Sequence, residues 1–167
     1  SGSAPLIWSL LVSGTATPVG FEALDIARIE AGLLFFGKEM TGNETPTELG
    51  LDRFCDCFGH SFRGKMAYLE NKNSPKMKTV GLAFDQSISL LGNEQLSADG
   101  KVRGVIKSAA RSEWLEKTIA IAQVDPAFAK DGQKFLVSGV TIKPESKVVA
   151  NTCSRRFYNR FSSAVEI

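Results

Sequence analysis

The clearest alternation of hydrophobic and polar positions covers residues 19–30 and predicts an amphipathic helix. At 100° per residue, Glu22, Asp25 and Arg28 fall on one polar arc of that helix. The opposite arc is aliphatic and consists of Val19, Ala23, Leu24, Ile26 and Ala27. Gly32 is placed to end the helix, because glycine adopts the left-handed conformation found after many helix C-termini.

Glu30 breaks this pattern, because it projects into the aliphatic arc between Val19 and Ala23. It also lies near the helix C-terminus, where the macrodipole disfavours an anion. A buried carboxylate is costly unless hydrogen-bond donors meet it. Two interpretations stay open: an exposed or internally ion-paired Glu30 at a fraying helix end, or a ligand with adjacent N–H donors, such as an amino-substituted fused pyrimidine.

The rest of the first 78 residues carries mixed signals. A short helix is predicted at residues 8–12, and a buried strand or coil at 33–37. Residues 41–50 are rich in Gly, Asn, Thr and Pro and predict a loop. Residues 51–58 alternate like a strand, and the polar stretch 71–78 is the best candidate for a linker.

Beyond the linker the pattern changes to short strands separated by turns. The Asp-Gly pairs at residues 99–100 and 131–132 predict tight turns. The predicted strands are residues 79–84, 102–106, 118–124, 135–142 and 148–151. This spacing is typical of a small antiparallel barrel or sandwich.

Composition narrows the possible partners and locations. The chain has 167 residues, of which 43% are hydrophobic and 23% charged, an ordinary globular balance. A net charge of +2 without a Lys/Arg run argues against nucleic acid. The apolar run at residues 6–12 is too short to span a membrane, so no membrane partner is expected. Three cysteines without other signs of secretion indicate a reducing compartment, and we expect a cytoplasmic protein.

One group of potential metal ligands, Cys55, Cys57 and His60, is spaced like half of a zinc site. A structural zinc ion needs four ligands, and Cys153 is the one remaining cysteine, with no second histidine. On a strand, Cys55 and Cys57 would point the same way and pack as small apolar residues. We therefore expect no metal, and neither a phosphate-binding loop nor a Ser-His-Asp set is apparent.

Several motifs in the first half resemble those of the aminomethyltransferases, the T-proteins of the glycine cleavage system. Residues 20–32 read GFEALDIARIEAG and match G-x-x-A-x-D-x-x-R-[LI]-E-x-G, which the folate-binding module of sarcosine and dimethylglycine dehydrogenases shares. Residues 36–40 (FGKEM) are similar to Y-G-x-E-[LM]. Residues 44–51 (ETPTELGL) are similar to T-P-x-E-x-G-L, and 61–65 (SFRGK) to D-F-x-G-[KR].

The second half continues the resemblance in family order. Residues 80–82 (VGL) resemble the strand that opens the family's C-terminal barrel, and 104–108 (GVIKS) resemble G-x-[VI]-T-S. Residues 115–120 (LEKTIA) resemble L-x-K-x-I-[AG], and Phe157-Tyr158 resembles the closing P-F-Y. The resemblance implies an α+β fold. Residues 4–70 would be the C-terminal part of a folate-binding domain with a short helix and strands, and 76–162 a small antiparallel β-barrel.

The resemblance also implies a cofactor, tetrahydrofolate, and a set of binding residues. In the family, the Glu that matches Glu30 accepts hydrogen bonds from the pterin ring. Phe36 stands where the family usually has Tyr, which removes a hydroxyl from the motif. Arg53, Lys65 and Arg111 are candidates for the glutamate tail of the folate. The implied donor is a small amine or an aminomethyl group on a lipoyl-carrying partner.

The chain departs from the family in length. Family enzymes are about twice as long, and their N-terminal half, which carries the catalytic Asp, has no counterpart here. No catalytic residue is therefore assigned. The first hypothesis is the C-terminal portion of a tetrahydrofolate-dependent aminomethyltransferase-like protein, missing its N-terminal half. The alternative is a non-catalytic interaction or assembly module of the same family, whose uncovered apolar face would promote homo-oligomers.

Overall fold

A computed structural model describes residues 2–55 and 59–138, and the backbone of residues 149–153. Residues 2–72, without 56–58, are called the N-terminal segment below. Its described elements are α1 (Ala4–Ser13), α2 (Phe21–Glu30), a 3-10 helix (Asp52–Phe54) and α3 (Lys65–Lys72). The predicted stop of α2 is confirmed: Gly32 has φ +67°, and the Leu33 amide donates to the Arg28 carbonyl at 2.8 Å across it.

The described strands between Lys78 and Cys153 form a closed antiparallel barrel. Its described strands are β1 (Lys78–Phe84), β2 (Gln95–Ala98), β3 (Lys101–Ser112), β4 (Lys117–Val124), β5 (Lys134–Val137) and β6 (Val149–Cys153). They pair in the order β1-β4-β3-β2-β5-β6, and β6 returns to β1. Fully buried side chains from five of these strands, including Leu82, Leu96, Ile106, Val124 and Phe135, fill the interior.

Local sequence explains how the barrel turns and closes. Asp99 and Gly100 both have positive φ, +50° and +71°, as a two-residue hairpin between β2 and β3 requires. Gly104 lies where β3 passes very close to β4. A Cβ added there would sit 2.6 Å from the Gln123 carbonyl oxygen, so a larger residue would push the strands apart.

The α+β prediction with a small antiparallel barrel is confirmed, and the strands predicted at residues 79–84, 102–106 and 118–124 lie in β1, β3 and β4. Parts of the predicted strands at 135–142 and 148–151 lie outside the described residues. The short helix predicted at 8–12 is longer and forms α1. The division of the chain at 4–70 and 76–162 stays a prediction.

The strand predicted at residues 51–58 is wrong over its described part, because Asp52–Phe54 form a 3-10 helix. The Asp52 carboxylate accepts hydrogen bonds from the hydroxyls of Thr47 and Tyr68, each at 2.7 Å. Such side-chain bonds favour turns over extended structure. Helix α3 was not predicted, and its last residues occupy the start of the predicted linker.

The face of α2 that packs on the barrel also differs from the prediction. Ile29 is fully buried against Ile119 and Ile121 of β4, and Arg28 of the predicted polar arc is buried beside it. Val19, just before the helix, and Leu24 are 76% and 58% exposed. The aliphatic arc therefore does not face the barrel, because the guanidinium of Arg28 finds buried partners there.

Candidate functional site

The Arg28 guanidinium is the centre of a buried polar network between α2 and the barrel. One terminal nitrogen donates to Glu39 Oε1 at 2.7 Å, and the other donates to Ser108 Oγ of β3 at 2.8 Å. The Ser108 hydroxyl in turn donates to Glu39 Oε1, and the Phe35 amide donates to Glu39 Oε2 at 2.8 Å. Glu39 is fully buried, so these bonds compensate the cost of removing its charge from water.

The network extends to the edge of α2 through Asp25. Arg28 Nε donates to one Asp25 oxygen at 2.8 Å, and Lys38 Nζ donates to the other at 3.0 Å. Burial acts to raise the pKa of Asp25, but the hydrogen bonds from Arg28 and Lys38 outweigh it and hold that pKa below its ordinary value. Burial acts to lower the pKa of Arg28, but the hydrogen bonds with Glu39 and Asp25 outweigh it and raise that pKa above its ordinary value.

Glu48 ties the residues before β1 to the N-terminal segment. Its carboxylate accepts from the Lys76 amide at 2.9 Å and from the Thr45 amide at 2.8 Å. Its carbonyl accepts from the Thr79 amide at 2.8 Å. Burial acts to raise the pKa of Glu48, but the hydrogen bonds from the Thr45 and Lys76 amides outweigh it and hold that pKa below its ordinary value. The start of the barrel is thus held to the N-terminal segment by an ionised side chain.

Glu30, the residue singled out by the sequence, is half-buried at the end of α2. Its Oε1 accepts a 2.6 Å hydrogen bond from the hydroxyl of Ser112, the last residue of β3. Ser112 is fully buried, and its oxygen accepts a 3.0 Å hydrogen bond from the Leu115 amide. Glu30 is therefore neither in bulk solvent nor paired with a guanidinium among the described residues.

A cavity of about 520 Å³ begins at the residue after Glu30. It is lined by Ala31, Gly32, Leu33, Leu34, Met40, Gly50, Leu51, Arg53, Phe54 and Thr79. Arg53 supplies the charge in this lining, and its guanidinium carbon lies 4.6 Å from the centre of the Phe54 ring. The buried Oγ1 of Thr79 has no hydrogen-bond partner among the described residues. The volume of this cavity falls in the range of small-molecule sites, and its walls are more apolar than polar.

The structure brings only some of the predicted site residues together. Arg53 lines the cavity that starts next to Glu30, whereas Phe36 is 71% exposed and lies outside that lining. Lys65 begins α3, and its ammonium donates to the His60 carbonyl at 3.2 Å. Arg111 is exposed and pairs with Glu113 at 3.4 Å. Because side chains alternate along β3, Arg111 points away from the face that carries Ser112.

Sequence reasoning missed three partners of Arg28 and Glu30 in this region: Glu39, Ser108 and Ser112. Glu39 lay in the FGKEM motif, but it stands between Lys38 and Met40, so its neighbours gave no sign of burial. Ser112 carried no local sign, because its role depends on Glu30, which lies 82 positions earlier in the chain.

Two of the three potential metal ligands, Cys55 and His60, lie in the described part of the chain. Cys55 is half-buried there, while Cys57 falls outside the described residues. No three His, Cys, Asp or Glu side chains of the described ranges lie close enough together to hold a metal ion. Within those ranges, no helix has both the length and the apolar character needed to cross a bilayer. The cytoplasmic location stays a prediction.

Comparison with known proteins places this geometry in a family. Residues 78–159 match the family model described as the glycine cleavage T-protein C-terminal barrel domain. Aminomethyltransferases of Clostridium botulinum and Thermosynechococcus vestitus are 35% and 31% identical to 87% and 96% of the chain. The chain belongs to the aminomethyltransferase family.

One further relative of this aminomethyltransferase-family chain and one solved structure extend the comparison. The heme-dependent oxidative N-demethylase gamma subunit of Ectopseudomonas mendocina is 32% identical over 152 residues, 83% of the chain and 40% of that subunit. The crystal structure of glycine cleavage system aminomethyltransferase T from Bartonella henselae has a TM-score of 0.84 at 23% identity. The match covers 94% of this chain and 44% of the Bartonella henselae chain, and its TM-score shows a shared fold.

The chain spans about two-fifths of the length of the curated aminomethyltransferases it matches, 39% and 43% for the two named above. Within the matched part, three residues of the family motifs meet in the buried network: Arg28, Glu39 and Ser108. These motif positions are therefore explained by packing of the N-terminal segment on the barrel. Glu30 lies two residues beyond Arg28 and takes no part in the network.

Proposed function

We propose that the chain is the C-terminal portion of a tetrahydrofolate-dependent aminomethyltransferase-like protein, and that Glu30 accepts hydrogen bonds from the pterin ring. The supporting observation is the half-buried Glu30 carboxylate, which accepts a hydrogen bond from Ser112 in a chain of this family. The 520 Å³ cavity is lined from Ala31, the next residue in the chain, and Glu30 itself is not in the lining. No described residue is assigned a catalytic role, and the chemistry of one-carbon transfer would be supplied by the folate itself.

The Glu30 carboxylate has the acceptor capacity that a pterin needs. A carboxylate offers about four lone-pair sites on two oxygens, and Ser112 uses one of those on Oε1. The exocyclic amino group and the neighbouring ring N–H of a pterin form a two-donor fork that suits the rest. Since the anion lies at the C-terminus of α2, where the dipole disfavours it, added donors are worth more than on an exposed glutamate.

The cavity lined by Arg53 suits the remainder of a folate. Apolar walls would pack against an aromatic ring, and the guanidinium would pair with a carboxylate of the glutamate tail. Lys65 and Arg111 are weaker candidates for the tail, because one donates to a backbone carbonyl and the other pairs with Glu113. Phe36 would offer an exposed aromatic surface. The proposed donor is a small amine or a lipoyl carrier, whose group would react at a folate nitrogen that the protein positions.

Calorimetric titration of the purified chain with tetrahydrofolate tests the proposal. Glu30→Gln removes the charge that assists both hydrogen bonds, and we expect the dissociation constant to rise roughly ten- to a hundredfold. Glu22→Gln is the matched control, since Glu22 is an exposed carboxylate of the same helix, and it should bind like the unaltered chain. Equal affinity of the two variants would contradict the role of Glu30.

A second candidate function is a non-catalytic interaction or assembly module of the same family. It is favoured by α1, whose ten residues include no buried side chain although most are apolar. Leu6 and Trp8, for example, are 64% and 59% exposed. Apolar surface of this extent usually marks an interaction site. The partner would be a second copy of the chain or the portion of an aminomethyltransferase that this chain lacks.

Sedimentation velocity over a hundredfold range of concentration separates the two functions when combined with the titration. Self-association that Leu6→Glu abolishes, together with no heat on adding tetrahydrofolate, would support the assembly module. A monomer that binds tetrahydrofolate would support the first proposal and exclude self-association through α1.

A further inference from the structure

The hydrogen bonds of Ser112 fix the direction in which its hydroxyl points. The Leu115 amide donates to Ser112 Oγ at 3.0 Å, so that oxygen acts as an acceptor on one side. A serine hydroxyl has a single proton, and the 2.6 Å contact with Glu30 Oε1 receives it. Ser112 is fully buried, so water does not compete for this proton.

The backbone around Ser112 gives this donor a fixed position relative to the barrel. Ser112 pairs with Lys117 at the end of the β3–β4 ladder. The turn between them includes Glu116 at φ +54°, a conformation that few non-glycine residues adopt. Glu30, by contrast, is the last residue of α2 and carries a side chain with three rotatable bonds. The rigid partner in this hydrogen bond is therefore the serine.

We propose that Ser112 is a positioning residue of the ligand site: it binds one lone-pair site of Glu30 Oε1 and leaves Oε2 and the remaining site on Oε1 for the two donors of the ligand. The proposal rests on the proposed function, because the ligand in question is the pterin. It assigns a role at the site to β3 of the barrel, which otherwise contributes no predicted binding residue except Arg111.

The first test needs no ligand and measures urea unfolding of Ser112→Ala, Glu30→Ala and the double variant. Loss of a hydrogen bond to a charged acceptor should raise the unfolding equilibrium constant roughly tenfold in Ser112→Ala. In the Glu30→Ala background, the same change should have a clearly smaller effect, because only the hydrogen bond from the Leu115 amide is then lost. Ser108→Ala is the matched control: it removes another buried β3 hydroxyl, which bonds Arg28 and Glu39. The factors by which Ser108→Ala and Glu30→Ala each raise the unfolding equilibrium constant should multiply in the double variant.

The second test measures tetrahydrofolate affinity. We expect Ser112→Ala to weaken binding roughly tenfold, Ser112→Thr to bind like the unaltered chain because it retains a hydroxyl, and Ser112→Ala to have little further effect in Glu30→Ala. A general structural defect would instead multiply with Glu30→Ala, as expected for Ser108→Ala. The comparison with Glu30→Ala decides the result even if the added methyl of Ser112→Thr does not fit.

The outcomes separate the two proposals. One outcome is that the unaltered chain binds tetrahydrofolate while the Ser112 and Glu30 substitutions raise the dissociation constant by factors that multiply. In that case the positioning role is overturned and the proposed function stands. Without any tetrahydrofolate binding, the proposed function fails, and so does the ligand role of Ser112, whatever the unfolding cycle shows. No coupling in the unfolding cycle would overturn the positioning role by itself.

Discussion

The barrel and the N-terminal segment are stabilised in different ways. The barrel buries its own apolar side chains, with Leu82, Phe84 and Ile106 fully removed from solvent. The N-terminal segment buries few large apolar side chains, and Ile29 is the fully buried one that contacts β4. It is attached instead by the charged network around Arg28 and by the Glu30–Ser112 bond.

This difference separates fold stability from site geometry. Hydrophobic burial stabilises without fixing direction, whereas hydrogen bonds between buried charges allow few relative positions of α2 and the barrel. We infer that the barrel is a stable base and that the polar contacts set the position of Glu30 upon it. The predictions below test that division.

Truncating the barrel core should have the largest effect. Phe84→Ala leaves a cavity at a fully buried position and should lower the free energy of unfolding by about 4 kcal/mol. The matched variant in the other region, Phe21→Ala, changes a side chain that is 87% exposed and should cost under about 0.5 kcal/mol. Urea denaturation followed by circular dichroism measures both. A large loss in Phe21→Ala would mean that the segment is packed more like a core than its exposure indicates.

Breaking the buried network should act on the attachment of α2 and spare the barrel. Arg28→Met leaves the fully buried Glu39 carboxylate without its cation, at a cost of about 3 kcal/mol. In hydrogen exchange, the amides of α2 should lose protection while those of β3 and β4 keep theirs.

The double variant Arg28→Met/Glu39→Met is the control for this experiment. It removes both charges, and replacing a buried pair by apolar residues is often close to neutral. Most of the lost protection in α2 should therefore return. Equal loss of protection across α2 and β4 in the single variant would show that the two regions unfold as one unit.

Lowering the pH should have the smallest effect on stability, and that effect should arise from carboxylates of the N-terminal segment. Burial raises the pKa of Glu44, but hydrogen bonds from the amide and hydroxyl of Thr41 bring it from 4.5 down to about 2. A lowered pKa in the folded state contributes stability that is complete above pH 4.5 and is lost as pH falls toward 2. Thermal melts between pH 5 and 2 should show this loss. Glu44→Gln should reduce its slope, and Asp25 and Glu48, whose pKa values are also lowered, should account for part of the remainder. An unchanged slope in Glu44→Gln would exclude this carboxylate as the source.

Much of the barrel was predictable because its signals are local. The run at residues 118–124 is mostly apolar and has four β-branched residues, and the Asp-Gly pair at 99–100 carries its own turn geometry. The strand predicted at residues 51–58 was wrong because side-chain hydrogen bonds, rather than the local alternation, decide the structure there. The Asp52 carboxylate binds the hydroxyls of Thr47 and Tyr68, and that bond pattern overrides the alternation of side chains.

The sequence by itself determined the strands at residues 79–84, 102–106 and 118–124, the hairpin turn at Asp99-Gly100, the end of α2 at Gly32 and the unusual character of Glu30. Each of these follows from residues within a few positions of one another. Only the tertiary structure decided which face of α2 is buried and which donor meets Glu30. The partners Ser108 and Ser112 lie 80 and 82 positions from Arg28 and Glu30, and a buried charge is stable only where folding brings such partners to it.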